Sequence, residues 1–339
     1  MSVGTDFEKL NWQKLVAAYA RPDLRRSLWQ VANTLLPYFA LWAMMLWSLQ
    51  VSYWLTLALA IPAAGFMMRG FIIFHDCCHG SFFKSRKAND SLGFFLGVLM
   101  LTPYAQWRHD HAVHHATAGN LDRRGVGDVF TLTVQEYLAS PWWKRAGYRI
   151  MRHPLFLLTI GATFVFVVSH RFWTPKAGRE ERLSVVYTNL ALAAIVAGMS
   201  WLVGLKAFLL VFTPIIVLAC GVGVWLFYVQ HQFEEAYWER KENWSFVRAG
   251  LQGSSFYKLP AVLQWFSGNI GFHHIHHLSP KIPNYNLPKC HRENAAFQVR
   301  PLTLWSSLKS MRLHLWDETA RRLVGFDALR RYKSQALQS

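Results

Sequence analysis

Histidines at helical spacing are the feature of this sequence that points most directly to chemistry. The chain contains 15 histidines. Three short segments, HDCCH, HAVHH and HHIHH, place eight of them three or four residues apart: His75, His79, His111, His114, His115, His273, His276 and His277. On an α-helix such residues share one face, with Cβ atoms about 5–6 Å apart, which is close enough to share a metal ion. The spacing therefore predicts metal binding.

A ninth histidine, His231, belongs to no such segment but closely follows a long apolar run that ends at Val229. Nine neutral imidazoles are more donors than one metal can use, since a structural zinc takes four ligands and a catalytic zinc about three. Two metals with open coordination positions could use all nine. Imidazole suits iron, zinc, copper and nickel, so the ligand type alone does not identify the metal.

The remaining histidines lack this pattern, and a lone histidine is usually a surface residue or a hydrogen-bonded core residue. His109 points away from His111 on a helix, and His274 competes with His273 for the ligand position, so both are interpreted as spare or supporting residues. A surface or core role is expected for His153, His170, His291 and His314.

Four apolar runs predict the elements that position the histidines. Of the 339 residues, 53% are hydrophobic and only 16% are charged. The runs are about 20 residues long, which is the length that spans ~30 Å of hydrocarbon. This pattern excludes a water-soluble enzyme, and the 24 Phe, 16 Trp and 12 Tyr exclude intrinsic disorder. We expect an all-α integral membrane protein with four transmembrane helices in two hairpins, at about 29–49, 51–73, 185–205 and 207–229.

The distribution of the 36 lysines and arginines predicts the orientation in the membrane. None lies between the first two runs, and only Lys206 lies between the last two. The positive-inside rule therefore places the metal site and both termini in the cytoplasm. The expected protein is a single domain, 1–339, in the inner (cytoplasmic) membrane, with a cytoplasmic helical cap at about 74–184 and 230–339. A nucleic-acid partner is not expected, because no recognition motif accompanies the net charge of +17.

Three further segments belong to this scheme. The apolar stretches 92–101 and 155–168 are shorter than a span and are predicted to be interfacial or re-entrant. The basic, amphipathic segment from about Leu302 to Lys333 is expected to lie on the anionic leaflet or to pack on the cap as a helix.

A metal site fed by apolar helices suggests an apolar substrate. Unreactive C–H bonds need an oxidant made from dioxygen at a redox-active metal, so a di-iron centre is the simplest interpretation of two metals. We predict no catalytic residue beyond the metal ligands and no binding site for an organic cofactor.

Five segments together resemble the membrane fatty acid desaturase family, in particular its acyl-lipid, methyl-end branch (Δ12 or omega-6-like). They cover about residues 60–290 in the family's order and spacing: HDCCHGSFFKS, PYAQWRHDHAVHH, GNLDRRGVGDVFTLTVQEY, QHQFEEAYW and NIGFHHIHHLSPKIPNYNL. Two positions depart from related patterns. Cys78 stands where the family commonly has glycine, and the third histidine segment begins with His273 rather than the glutamine of the front-end branch.

The resemblance implies an oxidoreductase, an oxygen-dependent acyl-lipid desaturase that introduces a cis double bond into an acyl chain held in a narrow tunnel. Two electrons are expected from a separate donor such as ferredoxin, since no haem-binding domain is recognised in the sequence. Acidic residues beside the boxes could orient the ligands; these are Asp76, Asp110, Asp128, Glu234 and Glu235. The implied ligands of two irons are His75, His79, His111, His114, His115, His231, His273, His276 and His277.

Two other functions fit part of the pattern. A membrane hydroxylase or ketolase would insert oxygen at the same di-iron site, and the mass of the product distinguishes it from a desaturase. A non-redox zinc membrane protein, such as a lipid hydrolase or a metal-sensing receptor, would explain three ligands and leave six unexplained.

Overall fold

The computed structural model describes residues 11–330 and Tyr332, and long helices dominate this part of the chain. The predicted positions of the two chain termini lie outside the described residues. The α-helices are α1 (Trp12–Ala17), α2 (Leu24–Ser48), α3 (Tyr53–His79), α4 (Arg86–Leu99), α5 (Tyr104–Thr117), α6 (Val134–Ala139), α7 (Trp142–Met151), α8 (Ala162–Val167), α9 (Arg179–Val203), α10 (Leu205–His231), α11 (Phe246–Gly253), α12 (Ala261–Phe266), α13 (His273–Leu278), α14 (Leu287–Glu293) and α15 (Leu304–Ser307).

Among the described residues, four helices are long and apolar enough to cross a membrane: α2, α3, α9 and α10. This confirms the prediction of four candidate membrane helices. Each contains 25 or 27 residues. At 1.5 Å per residue such a helix is about 38–40 Å long, which exceeds the ~30 Å hydrocarbon core. The surplus turns carry His75 and His79 at the end of α3 and His231 at the end of α10.

Local signals in the sequence set the ends of these helices. The Asp23 side chain caps α2 by accepting a hydrogen bond of 2.9 Å from the Arg26 N–H. Gly80 ends α3 with a φ of +62°, and Gly204 separates α9 from α10 with a φ of +85°. Both angles lie in the left-handed region, which glycine adopts at no steric cost. The long helices therefore stop where the chain must turn.

The largest hydrophobic core lies where α2, α3, α4, α5, α8 and α10 pack together. Met45, Ile73, Phe74, Leu96 and Ile215 are all fully buried within it. Ile73 and Phe74 directly precede the first site histidine on α3. Burial of these two side chains therefore fixes the position of the last turns of α3.

Five short strands correct the expectation of an all-α protein to a mostly helical one. β4 lies between β1, which is parallel to it, and β5, which is antiparallel. β2 and β3 form a separate parallel pair, with Tyr257 opposite Leu302. The Tyr257 N–H also donates to the Gly271 carbonyl at 2.7 Å, which anchors the chain just before α13. The strands are β1 (Leu132–Thr133), β2 (Phe256–Lys258), β3 (Pro301–Thr303), β4 (Leu315–Asp317) and β5 (Arg322–Val324).

The segment after residue 301 differs from the amphipathic helix expected at Leu302–Lys333. It forms β3, the short helix α15, a 3-10 helix at Leu308–Arg312, the β4–β5 pair and a second 3-10 helix at Phe326–Ala328. Leu315, Trp316 and Leu323 are buried against neighbouring elements. The alternative of one helix packed on the cap is therefore wrong over the described part of this segment, whereas its placement on the anionic leaflet stays a prediction; Lys333 lies outside the described residues.

The two short apolar stretches also lie on helices. Residues 92–101 fall mainly on α4. Residues 155–168 form a π-helix (Phe156–Gly161) followed by α8, and the segment Phe156–Arg171 is bent by 71° relative to α7. Its length and composition fit either a broken fifth span or a re-entrant segment, so the re-entrant assignment stays a prediction.

Candidate metal centre

Nine buried or nearly buried histidines from four helices converge in two groups. The five-histidine group comprises His75, His79, His111, His115 and His276. The four-histidine group comprises His114, His231, His273 and His277. In each group, one ring nitrogen from every member lies within 4.8 Å of the others. Each group could therefore hold a metal ion.

Helical spacing divides α5 and α13 between the two groups. On α5, His111 and His115 belong to the five-histidine group, whereas His114 belongs to the four-histidine group. On α13, His273 and His277 lie in the four-histidine group, and His276 lies in the other. In both helices the two residues at i and i+4 therefore belong to the same group, and the third histidine of the helix belongs to the other group.

The two groups are adjacent. The ring of His115 in the five-histidine group stacks on the ring of His277 in the four-histidine group, with centroids 4.1 Å apart and planes 16° apart. Two metals bound in these groups would consequently be neighbours within one site.

In the five-histidine group, a shared metal explains the short distances between ring nitrogens better than hydrogen bonds do. His115 Nε2 lies 3.1 Å from His111 Nε2 and 3.0 Å from His276 Nε2. A neutral ring nitrogen carries either one N–H or one lone pair, so it cannot form two good in-plane hydrogen bonds. Two nitrogens bound at about 2.1 Å to one metal, at right angles, are about 3.0 Å apart. The contacts match that arrangement.

The four-histidine group shows the same arrangement around His231. Its Nε2 lies 3.2 Å from His114 Nε2 and 3.0 Å from His273 Nε2. The Nε2 of His277 is buried without a hydrogen-bond partner in the described residues. A shared cation would satisfy all of these nitrogens at once.

Burial keeps these imidazoles in the neutral form that binds metals. Desolvation lowers the pKa of His114 well below its usual range, and nearby histidines, His231 foremost, lower it further. Burial has the same leading effect on the pKa of His111, His115, His273, His276 and His277. These donors are therefore available at neutral pH without first losing a proton.

Asp76 is the one acid suggested by the sequence that contacts a site histidine in the described structure. Its Oδ1 lies 3.3 Å from His75 Nδ1. Its Oδ2 accepts hydrogen bonds from Asn284, at 2.7 Å from the backbone N–H and 2.8 Å from Nδ2. A carboxylate at Nδ1 favours the tautomer whose Nε2 is free to bind a metal. Asn284 holds that carboxylate in place.

The other suggested acids have different partners. Glu234 pairs with Arg322, and Glu235 pairs with Arg300. Asp128 Oδ1 accepts from the Gly125 N–H, and burial raises the pKa of Asp128 to about 6. For Asp110, burial is also the main cause that raises the pKa. No described contact joins any of these four acids to the nine histidines.

The structure places the remaining six histidines outside both groups. His109 is exposed and lies 3.9 Å from Glu181. His274 is buried, but its Nε2 lies 3.0 Å from the Phe297 carbonyl oxygen. His314 stacks on Phe326. The others are His153, His170 and His291.

Two aromatic residues at the site were not predicted from the sequence. Trp107 stacks on His111 with centroids 4.2 Å apart, and Phe227 lies 5.2 Å from both His114 and His231. Each precedes a site histidine by four residues on its own helix, a signal that could have identified it. Asn284 offered no such signal, because 208 residues separate it from Asp76.

Comparison with known proteins adds an independent result. Residues 52–307 match the family model described as fatty acid desaturase. The chain is 50% identical to the "Fatty acid desaturase" of Bacillus subtilis (strain 168), over 94% of this chain and 90% of that protein. It is 28% identical to the "sn-1 oleoyl-lipid 12-desaturase" of Anabaena variabilis, over 71% of this chain and 69% of the relative. It is also 28% identical to the "sn-1 acyl-lipid omega-3 desaturase (ferredoxin)" of Synechocystis sp., over 64% and 61% respectively.

Proposed function

Because the chain belongs to the fatty acid desaturase family, we propose that it introduces a cis double bond into a lipid-linked acyl chain at a histidine-ligated di-iron centre. As a member of this family it is an oxidoreductase that acts on acyl lipids. The observation that carries the proposal is the convergence of nine histidines into two adjacent groups. The overall reaction would convert two methylenes, dioxygen, two electrons and two protons into a cis double bond and two waters.

The nine histidines are the proposed metal ligands, and no further catalytic residue is proposed. A non-redox zinc site needs about three or four ligands, so two groups of five and four imidazoles favour a pair of redox metals. With dioxygen and two electrons, such a pair of metals would supply an oxidant strong enough to remove hydrogen from a methylene. The protein's own part is to hold neutral imidazoles in place, with Asp76 orienting His75 through Nδ1.

The proposed partners are a membrane lipid and a ferredoxin-like electron donor. Two of the relatives carry "lipid" in their names, and that from Synechocystis sp. also carries "ferredoxin". A net charge of +17 would favour the approach of an acidic protein.

The proposed topology has two transmembrane hairpins, α2–α3 and α9–α10, and a cytoplasmic cap at about 74–184 and 230–339 within one domain, 1–339. It is supported by the common position of the last turns of α3 and α10, which both contribute to one site. Those two ends must therefore lie on the same membrane side. The strong excess of basic residues on that side indicates the cytoplasmic face of the inner membrane.

Fatty-acid profiling after expression tests the reaction. A host with only saturated and monounsaturated chains should accumulate a product that has lost two hydrogens from a parent chain. A product that has gained oxygen would instead identify a hydroxylase or ketolase. Anaerobically purified protein should contain about two irons per chain, whereas one zinc per chain would support the non-redox alternative.

A matched pair of variants on α5 provides the control. His111→Gln removes a proposed ligand and should eliminate the product. His109→Gln changes an exposed histidine of the same helix, outside both groups, and should leave the product unchanged. Equal activity of the two variants would contradict the proposed site.

A further inference from the structure

A polar cleft of about 500 Å³ lies beside the start of α2, outside the two histidine groups. Its volume falls within the range typical of small-molecule sites. Two arginines and several amide and aromatic side chains line it, but none of the lining residues is an aspartate or a glutamate. The residues that matter here are Arg26, Arg69, Gln30, Asn284, Trp265 and Tyr285.

Arg69 is an unusual residue for its position. It lies on the candidate span α3, and only 6% of it is exposed. Its Nη1 donates to the Trp265 carbonyl oxygen, and its Cζ lies 3.9 Å from the centre of the Trp265 ring. Its Nε is buried without a hydrogen-bond partner, and no carboxylate among the described residues pairs with it. A charge in a membrane helix is costly and usually marks a functional site. Within residues 11–330, this guanidinium therefore has no carboxylate as a counter-ion.

Arg26 supplies a second, fixed guanidinium at the same cleft. Its Nη1 donates to Asn286 Oδ1 and its Nη2 to the Tyr285 carbonyl oxygen, each at 2.7 Å. Its Cζ also lies 4.5 Å from the centre of the Tyr285 ring. Neutral partners thus hold the side chain, and no carboxylate in the described part of the chain forms an ion pair with it. Guanidinium groups in fixed positions are well suited to phosphate recognition.

The rim of the cleft is apolar and exposed. Trp29, which lines the cleft, is 68% exposed, and Val262 on the adjoining helix α12 is 67% exposed. Trp29 lies near the start of the candidate span that begins at Leu24, and Val262 directly follows Ala261, which lines the cleft. Large apolar side chains beside cationic groups are typical of a membrane surface. The ligand of this cleft should therefore carry both an anionic group and apolar chains.

We propose that the cleft binds the phosphate group of a phospholipid, held between Arg26 and Arg69. This inference rests on the proposed function, because it takes the bound phospholipid to be the substrate whose acyl chain is desaturated. Asn284 connects the two sites, since it lines the cleft and its Nδ2 also donates to Asp76 Oδ2 at 2.8 Å, next to His75. The headgroup of the substrate is thereby held beside the metal centre.

Calorimetric binding to the purified protein, without turnover, tests the cleft. The probes are dihexanoyl phosphatidylglycerol, dihexanoylglycerol, which lacks the phosphate, and inorganic phosphate. The phospholipid should bind at least about tenfold more tightly than either other probe, which is the typical effect of a charge-assisted hydrogen bond. Equal affinity for dihexanoylglycerol would overturn the phosphate assignment, and equal affinity for inorganic phosphate would overturn the lipid assignment.

Charge variants locate the binding. Arg69→Gln and Arg26→Gln should each weaken phospholipid binding about tenfold, whereas Arg69→Lys, which keeps the charge, should restore part of it. Arg25→Gln removes an exposed charge from the same end of α2, outside the cleft, and should bind like the parent. Arg26 is exposed, so Arg26→Gln remains informative if Arg69→Gln fails to fold. Unchanged binding by Arg26→Gln, or a matching loss in Arg25→Gln, would overturn the assignment.

Activity separates this inference from the proposed function. With a phospholipid substrate, Arg26→Gln should raise KM about tenfold and leave kcat nearly unchanged, because it removes ground-state binding. Phosphate-dependent binding without any unsaturated product would overturn the proposed function and support the cleft. Normal product formation with phosphate-independent binding would support the function and overturn the cleft.

Discussion

Replacing His231 with alanine is expected to remove one metal from the site and to abolish desaturation. His231 occupies the last position of α10, and its Nε2 lies within 3.2 Å of the Nε2 atoms of both His114 and His273. The variant therefore takes away the central nitrogen of the four-histidine group and leaves the five-histidine group intact.

The expected loss of metal affinity follows from the removal of a ligand itself, as opposed to a residue that only supports a ligand. Removing only a supporting partner of a ligand typically costs about 10–100-fold in metal affinity. Losing the ligand itself should cost at least about 100-fold, which is about 2.7 kcal/mol of binding free energy. Iron content is therefore expected to fall from about two per chain to about one. The fold should persist, because α10 is held by apolar contacts such as that of Ile215, which is fully buried in the core.

The assay combines iron content, acyl-lipid product and the amount of monodisperse protein for the same preparation. His170→Ala is the control, since His170 lies outside both groups and packs against Phe166. It should keep both irons and full activity. Product formation by His231→Ala at the parent rate would refute the ligand assignment, and loss of protein in parallel with iron would show a structural metal.

Three further outcomes are expected. His114→Gln and His276→Gln should each eliminate the product while folded protein, measured by gel filtration, stays near the parent level; parallel loss of protein would indicate that the metals stabilise the fold. Reporter fusions at residues 120 and 180 should both give a cytoplasmic signal, and a periplasmic signal at 180 would show that 155–168 spans the membrane. Burial lowers the pKa of His314 to about 4, against about 6.5 in an unfolded chain. The unfolded state then binds more protons between these values, so stability should fall as pH falls from about 6.5 to about 4, and melting curves of His314→Phe should show a smaller fall.

The sequence could predict that these nine histidines lie together, because two of their properties are local. Spacing of three and four residues is a property of one helix, and the apolar runs before His75 and His231 give the direction from which two of the helices arrive. How the histidines divide into two groups could not be predicted from the sequence. Whether His114 joins His111 or His231 depends on the relative rotation of α5 and α10, which is set by packing between residues more than a hundred positions apart.

The C-terminal segment shows where periodicity misleads. Its apolar and basic residues suit a helix, but Asp317 Oδ1 accepts hydrogen bonds from the Thr319 and Ala320 N–H groups at 3.0 and 2.9 Å. That side-chain turn ends β4 and directs the chain back as β5. A short aspartate-centred turn thus outweighed the amphipathic pattern, and the buried Leu315 and Trp316 became part of a sheet.

The sharing of helices explains why the two histidine groups should act as one centre. α5 and α13 each contribute to both groups, so a shift of either helix would move ligands of both proposed metals together. By contrast, α3 contributes only to the five-histidine group, and α10 contributes only His231 to the other. Changes at the end of α10 should consequently affect one metal, whereas changes that displace α5 should affect both. Because the two long helices end in different groups, the spacing between the two proposed metals would depend on the packing of α3 against α10 in the hydrophobic core.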